Sequence, residues 1–92
     1  MSPEQTHVFE LLDVYAKDHY ECFVAEMSLN EARGRYTVCF RPTGEFNGDP
    51  NPYLCRYLYI DMKEVETSHK NGRLTNAIVT DLHDQLSKIK SF

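Results

Sequence analysis

The spacing of apolar residues changes twice along this chain, and that change restricts the fold more than any other feature of the sequence. Near the N-terminus, apolar residues recur at intervals of three and four, as on one face of a helix: Val8, Leu11, Leu12, Tyr15 and Ala16. From Glu21 the interval becomes two, which is typical of strands with one buried face. After Arg73 the helical spacing returns. The sequence therefore predicts helices at both ends and strands between them.

Local signals give approximate bounds for the two helices. Ser2 suits the N-cap and Pro3 suits the first helical position, so the first helix is predicted to begin there and to run to about Lys17. The last helix is predicted over residues 74–89, because apolar residues trace one face of it. Each helix should therefore pack one face on the rest of the chain.

Three strands are predicted in the middle of the chain. They cover residues 22–29, 35–41 and 53–62. Turn-forming residues at 30–34 join the first two strands in a hairpin. Prolines and glycines at 42–52 predict a long exposed loop, and the polar residues 63–73 predict an irregular connection.

These elements predict one α+β domain over residues 1–92, since a chain of 92 residues has enough surface to bury for one core. The expected architecture is an antiparallel three-stranded sheet in α-β-β-β-α order, with two helices on one face. Alternation along the strands assigns one set of side chains to the helix-covered core: Phe23, Ala25, Met27, Leu29, Tyr36, Val38, Phe40, Leu54, Leu58, Ile60 and Met62.

The opposite sheet face is the main functional clue, because its predicted residues are unusually aromatic and apolar for a surface that meets water. They are Cys22, Val24, Arg35, Thr37, Cys39, Arg41, Tyr53, Cys55, Tyr57 and Tyr59. Tyrosine and arginine are enriched in binding hot spots. With the adjoining turn, the predicted partner-binding residues are Arg33, Arg35, Arg41, Tyr53, Tyr57 and Tyr59. The alternatives are that the three tyrosines simply shield a thin sheet, or that this face is covered by the polar connection before the last helix or by self-association.

The sequence predicts no catalytic residue, no metal site, no cofactor and no small-molecule substrate. Cys22, Cys39 and Cys55 are widely spaced and odd in number, which fits neither a disulfide framework nor a zinc motif. The histidines have no local nucleophile motif beside them, and no glycine loop of the phosphate-binding kind is present. Unpaired cysteines and the absence of a secretory signal or long apolar run predict a cytoplasmic protein with no membrane contact.

Charge is distributed unevenly. The net charge is −4, and residues 1–31 carry seven acidic residues and one lysine, whereas residues 32–92 carry seven acidic and nine basic residues. An acidic domain is not attracted to free duplex DNA, so that partner is not expected. The topology is also that of a double-stranded RNA-binding domain, but Lys70 and Arg73 stand where such a domain has a larger basic cluster. An RNA-binding adaptor and a homodimeric structural module remain alternatives.

Three stretches contribute to a resemblance of size and overall character: AKDHYECFVAEM, GRYTVCFRPTGEF and CRYLYIDMKEVE. With them, the chain resembles small phage-encoded anti-CRISPR proteins, in particular those acting on the type I-F surveillance complex. The resemblance implies a non-enzymatic inhibitor in the host bacterial cytoplasm. It also implies a partner, a multi-subunit Cas protein complex with guide-RNA phosphate contact, on which the inhibitor blocks target DNA hybridisation or recruitment.

Overall fold

The protein folds as helices packed against an antiparallel sheet. Its structure is a computed structural model that describes residues 2–43 and 55–87. The elements, in chain order, are α1 (Pro3–Tyr20), β1 (Cys22–Asn30), β2 (Arg35–Pro42), β3 (Arg56–Asp61), α2 (Met62–Asn71) and α3 (Asn76–Leu86). The strands lie in the order β1-β2-β3. The predicted α+β class and three-stranded antiparallel sheet are confirmed, while Tyr53, Leu54 and Ile89 lie outside the described residues.

Helix α1 begins as predicted and ends three residues later than predicted. The Ser2 hydroxyl accepts a hydrogen bond from the Gln5 backbone N–H at 3.1 Å, so the cap is formed. The helix ends where Glu21 adopts a left-handed conformation (φ 54°) and donates its N–H to the Ala16 carbonyl. The chain then turns directly into β1.

The β1–β2 hairpin closes through a short 3-10 turn, Glu31–Arg33. The Asn30 side chain accepts from the Arg33 N–H, and Gly34 takes the left-handed conformation (φ 63°) that a side chain would disfavour. The Gly34 carbonyl accepts from the Met62 N–H at 3.0 Å. This bond ties the hairpin turn to the start of α2.

A β-bulge in β1 overturns part of the predicted core. Val24 pairs with Phe40 and Glu26 pairs with Cys39, so Ala25 is an extra residue. One extra residue reverses the direction of every side chain before it. Cys22 and Val24, predicted on the outer face, are therefore buried in the core. Phe23 and Ala25, predicted in the core, are half-buried and exposed respectively.

Asp13 of α1 supports the bulged strand. Its carboxylate accepts from the Val24 N–H at 2.9 Å and pairs with Lys17 at 2.8 Å. Burial acts to raise the pKa of Asp13, but the two hydrogen bonds and the Lys17 charge outweigh it and hold this pKa below its usual value. Asp13 thus joins α1 to an edge strand beside its irregularity.

A third helix replaces the irregular connection predicted over residues 63–73. Helix α2 is capped by the Asp61 carboxylate, which accepts from the Lys63 N–H at 2.8 Å, and it ends at Gly72 (φ 69°). Only Val65 and Ser68 of this helix are buried, so it has too few apolar residues for their spacing to predict a helix. Met62 begins α2 instead of ending β3, and its side chain is 39% exposed.

The core lies between the helices and one sheet face. Helix α3 starts two residues later than predicted, after Thr75, whose hydroxyl accepts from the Ile78 N–H at 3.3 Å. All three helices and all three strands contribute buried apolar residues to one cluster: Val8, Leu12, Ala16, Cys22, Val24, Met27, Tyr36, Val38, Phe40, Leu58, Ile60, Val65, Ile78, Leu82 and Leu86. Leu29, predicted in this core, is 36% exposed near the hairpin end of β1.

Candidate functional site

The sheet has a second face, directed away from the helices, which we call the open face. Val38 and Leu58 are buried, and side chains alternate in direction along a strand, so the residues next to these two on β2 and β3 point to the open face. On β1, the residues that pair with the open-face residues of β2 lie on the same face. Its members are Phe23, Glu26, Ser28, Asn30, Arg35, Thr37, Cys39, Arg41, Tyr57, Tyr59 and Asp61. Most of these residues were predicted from the alternation of β2 and β3, and that part of the prediction needed no correction.

Two tyrosines dominate the outer edge of the open face. Tyr57 and Tyr59 alternate on β3 and are 53% and 54% exposed. The Arg35 guanidinium lies over the Tyr59 ring, 4.3 Å from its centroid. Such a cation–π contact contributes about 0.5–1 kcal/mol at exposed sites, enough to bias the arginine toward this position. The outer edge therefore presents the exposed ring of Tyr57 and, beside it, the ring of Tyr59 with the Arg35 guanidinium over it.

The Arg35 side chain is only partly satisfied by these contacts. Its Nε is buried and has no hydrogen-bond partner. Asp61 pairs with Arg35 across the strands, but the Asp61 carboxylate accepts from the Lys63 N–H at the start of α2. The buried Nε cannot reach a ligand, so any contact of Arg35 with a carboxylate or phosphate would use its terminal Nη groups.

The other predicted site residues extend the open face along β2. Arg41 is exposed and pairs with Phe23 of β1. Arg33 is exposed in the hairpin turn, one residue before Gly34. Arg33, Arg35 and Arg41 thus follow one line of the hairpin, while Tyr53 lies outside the described residues.

The bulge changes the composition of the β1 part of the open face. It removes the apolar residues Cys22 and Val24 from the predicted set and adds Phe23, while Glu26, which follows the bulge, keeps the outward direction that alternation gives it. No glycine or other marker distinguishes residues 22–27 as bulged, so the sequence carries no local signal of this change. The corrected face is less apolar on β1 and keeps its aromatic character on β3.

Cys22 and Cys39 are held as neutral thiols. Burial, and then the nearby Asp13 charge, raise the pKa of Cys22 to about 11. Burial is also the main cause that raises the pKa of Cys39, and Cys55 beside it adds to the effect. A thiol with a raised pKa holds little thiolate near neutral pH, which opposes nucleophilic and metal-ligating chemistry at these two positions.

Tyr57 shares this environment on the open face. Hydrogen bonding with Cys55, followed by the charges that Cys55 and Cys39 would carry when ionised, raises the pKa of Tyr57. The phenol therefore stays protonated across the physiological range and offers both a donor and an acceptor. Tyr57 can contact a partner through its ring and through its hydroxyl.

A concavity between the helices is a second candidate, and the sequence did not predict it. It measures about 540 Å³, and its lining includes Leu11, Val14 and Tyr15 of α1 with Leu74 and Val79 near the start of α3. Val14 is 57% exposed within it. Its apolar lining is suited to an apolar group. Among the described residues, however, the polar side chains that line it do not meet at one point.

The histidines pair with aromatic neighbours or with each other. The Nδ1 atoms of His7 and His69 are 2.9 Å apart, which joins α1 to α2, and the Tyr20 hydroxyl lies 3.3 Å from Nδ1 of His83. Within the described residues 2–43 and 55–87, none of these histidines contacts a cysteine. The pairs connect helices to one another.

Comparisons with known proteins give no family assignment: the chain matches no protein-family model, no curated protein and no solved structure. Within the described part of the chain, no group of three or more histidine, cysteine, aspartate or glutamate side chains is arranged to hold a metal ion. No helix there has the length and apolar character needed to cross a bilayer. The open face and its contacts are therefore the basis for a functional proposal.

Proposed function

We propose that this protein is a non-enzymatic binding protein that uses the open face to dock on another macromolecule. The observation that carries the proposal is the exposure of Tyr57 and Tyr59 beside the Arg35 guanidinium. Tyrosine and arginine are enriched among the few residues that contribute most of the binding energy in protein interfaces. A sheet holds them rigidly, so little side-chain entropy is lost when a partner binds.

The proposed partner is a multi-subunit Cas surveillance complex, and the proposed outcome is inhibition. The resemblance to phage-encoded anti-CRISPR proteins supports this choice. The separation of charge also supports it, since the acidic residues Glu10 and Asp18 are exposed on α1, on the opposite side of the sheet from Arg35 and Arg41. The acidic side would be attracted to a lysine-rich path for DNA, and the arginines would meet guide-RNA phosphates or acidic protein.

The inhibitor would act by occupying space. A domain bound on the DNA path blocks hybridisation or recruitment of target DNA without chemistry, so the proposal requires no catalytic residue, cofactor or metal. An RNA-binding adaptor and a homodimeric module remain the competing functions, and both would use the same face.

A pull-down from cells that carry a CRISPR system tests the proposal. We expect Cas subunits to co-elute with the tagged protein, and to be lost when Arg35→Ala and Tyr57→Ala are combined. Recovery of RNA without Cas subunits would favour the adaptor. A stoichiometric self-dimer with no other partner would favour the homodimeric module, and either result would contradict the proposed inhibition.

A further inference from the structure

Two histidines join helices α1 and α2 through one short contact. The Nδ1 atoms of His7 on α1 and His69 on α2 are 2.9 Å apart, and the rings meet edge to face with their centroids 5.1 Å apart. Both side chains are half-buried. At this distance one Nδ1 donates a hydrogen bond and the other accepts it. The contact therefore requires that at least one of the two rings is neutral.

The number of protons on the pair decides whether this hydrogen bond can form. Two neutral rings, or one neutral and one charged ring, provide one donor and one acceptor. When both rings are protonated, two donors and two positive charges face each other at 2.9 Å. In an opened chain the rings are apart, and a free histidine is largely protonated below about pH 6.5. Opening in acid therefore takes up one proton that the closed pair cannot hold.

The charged and titratable side chains around the pair come from α1, α2 and the segment after α2. They are Glu4, Glu10, Asp18 and His19 on α1, Glu66 on α2, and Arg73. The carboxylates favour a first proton on the pair, while Arg73 and the neighbouring Lys70 oppose a second. Glu26 of β1 and Asp61 of β3 point to the open face, away from the helices. Among the described residues, no carboxylate hydrogen-bonds to either ring, so none compensates for the second proton.

The pair holds the end of α2 on α1. The start of α2 is tied to the hairpin, because the Met62 N–H donates to the Gly34 carbonyl at 3.0 Å. Ser68 is the last buried residue of the helix, and His69 follows it directly. The wall of the concavity that includes Arg73 continues from this last turn. Loss of the histidine hydrogen bond should therefore free the last turn of α2 first.

We propose that His7 and His69 form a proton-sensitive latch between α1 and α2. The latch is closed while the pair holds at most one proton. It opens when both rings are protonated, which releases the last turn of α2 and the adjoining wall of the concavity. The latch lies on the helical side of the sheet, so its behaviour does not depend on the partner proposed for the open face.

Amide hydrogen exchange followed by NMR between about pH 7.5 and about pH 5 tests the latch, with each rate divided by that of an unstructured peptide at the same pH. We expect the opening equilibrium for residues 68–72 to rise about tenfold per pH unit below about pH 6.5, because opening takes up one proton. Amides of α3 should change less. Asp13 keeps its charge over this range, since its pKa lies below its usual value.

His7→Gln and His69→Gln each replace a titrating ring with an amide that donates or accepts without binding a proton. Either variant should abolish the dependence of α2 opening on pH. His19→Gln is the matched control, because His19 is an exposed histidine on the same helix as His7 and its ring contacts Tyr15. This variant should keep the wild-type dependence.

Opening of α2 that does not change with pH in wild type would overturn the latch. A dependence on pH that both glutamine variants keep, or that His19→Gln abolishes, would overturn it as well. An equal loss of protection in α2 and α3 would also count against it, since that pattern reports unfolding of the whole domain.

Discussion

At the scale of single residues, burial separates the side chains that hold the fold from those that meet a partner. Leu12 is fully buried and Leu58 is nearly so, whereas Tyr57 and Tyr59 on the same strand as Leu58 are more than half exposed. Alternation of direction along β3 produces this contrast. Along β3, a substitution at the buried position should therefore lower stability, and a substitution at an exposed neighbouring position should weaken binding.

We expect Leu12→Ala and Leu58→Ala each to lower the free energy of unfolding by about 2–5 kcal/mol, because each truncation leaves a cavity in the packed core. Val14→Ala is the control on the same helix as Leu12, since Val14 is 57% exposed. Thermal melts measure all three. Unchanged melting temperatures for both leucine variants would mean that the buried sheet face is assigned wrongly.

Cys22 predicts a dependence of stability on alkaline pH. Its thiol has the ordinary cysteine pKa of 9.0 in the unfolded chain and a pKa of about 11 in the fold, so the folded state retains the proton that the unfolded chain loses. The contribution of this group to stability is therefore complete below pH 9 and is lost as pH rises toward 11. Urea denaturation across this range should show a steeper fall for wild type than for Cys22→Ala. Parallel curves would contradict the raised pKa.

At the scale of elements, patterns with a regular period were predictable and irregular elements were not. The spacing of apolar residues in α1, β2 and β3 predicted the positions of these elements and the three-stranded sheet. Helix α2 was missed because it buries only Val65 and Ser68 and depends on the Asp61 cap and on tertiary contacts. The bulge at Ala25 was missed because alternation continues through it in the sequence while the pairing shifts.

This one insertion explains why the residues predicted on the outer sheet face lie there on β2 and β3 but not on β1. Arg35 and Arg41 on β2 and Tyr57 and Tyr59 on β3 all lie on the open face. Residues before the bulge on β1 point the other way. The position of Arg35 over Tyr59 was also beyond sequence reasoning, because it depends on the diagonal register of the two strands.

Asp13 should be required to hold the bulged strand on α1. We expect Asp13→Ala to lower the free energy of unfolding by about 1–3 kcal/mol, because the Val24 N–H loses its acceptor. Asp13→Asn keeps an acceptor oxygen and should lose less. Since the pKa of Asp13 is depressed in the fold, its charge stabilises the fold at neutral pH. The advantage of wild type over Asp13→Asn should therefore disappear as pH falls through that pKa.

Chemical denaturation of the two variants and wild type at neutral and at acid pH measures these differences. A difference between wild type and Asp13→Asn that persists unchanged in acid would contradict the role of the carboxylate charge. Equal stability of Asp13→Ala and wild type would contradict the role of the hydrogen bond itself.

At the scale of the whole molecule, the sheet separates the acidic helix α1 from the open face, where Glu26 and Asp61 lie among the arginines and tyrosines. The acidic helix α1 lies on the side of the core, and the arginines and tyrosines of the open face lie on the other side. Charge on the helix should chiefly change the rate of association with a basic partner, while the open face should determine the lifetime of the complex. Glu10→Gln and the open-face variants therefore test different steps.

The central claim is that the open face binds the partner while contributing little to folding. Binding kinetics of the Arg35→Ala, Tyr57→Ala double variant to the captured partner complex, measured beside its thermal melt, test it most directly. A hot-spot truncation costs at least about 2 kcal/mol, so even one such loss should lower affinity by tens-fold or more through faster dissociation, with a melting temperature close to wild type. We expect Glu10→Gln mainly to slow association. Binding that survives the double variant but collapses on changing the acidic helix would contradict the claim and assign the contact to α1.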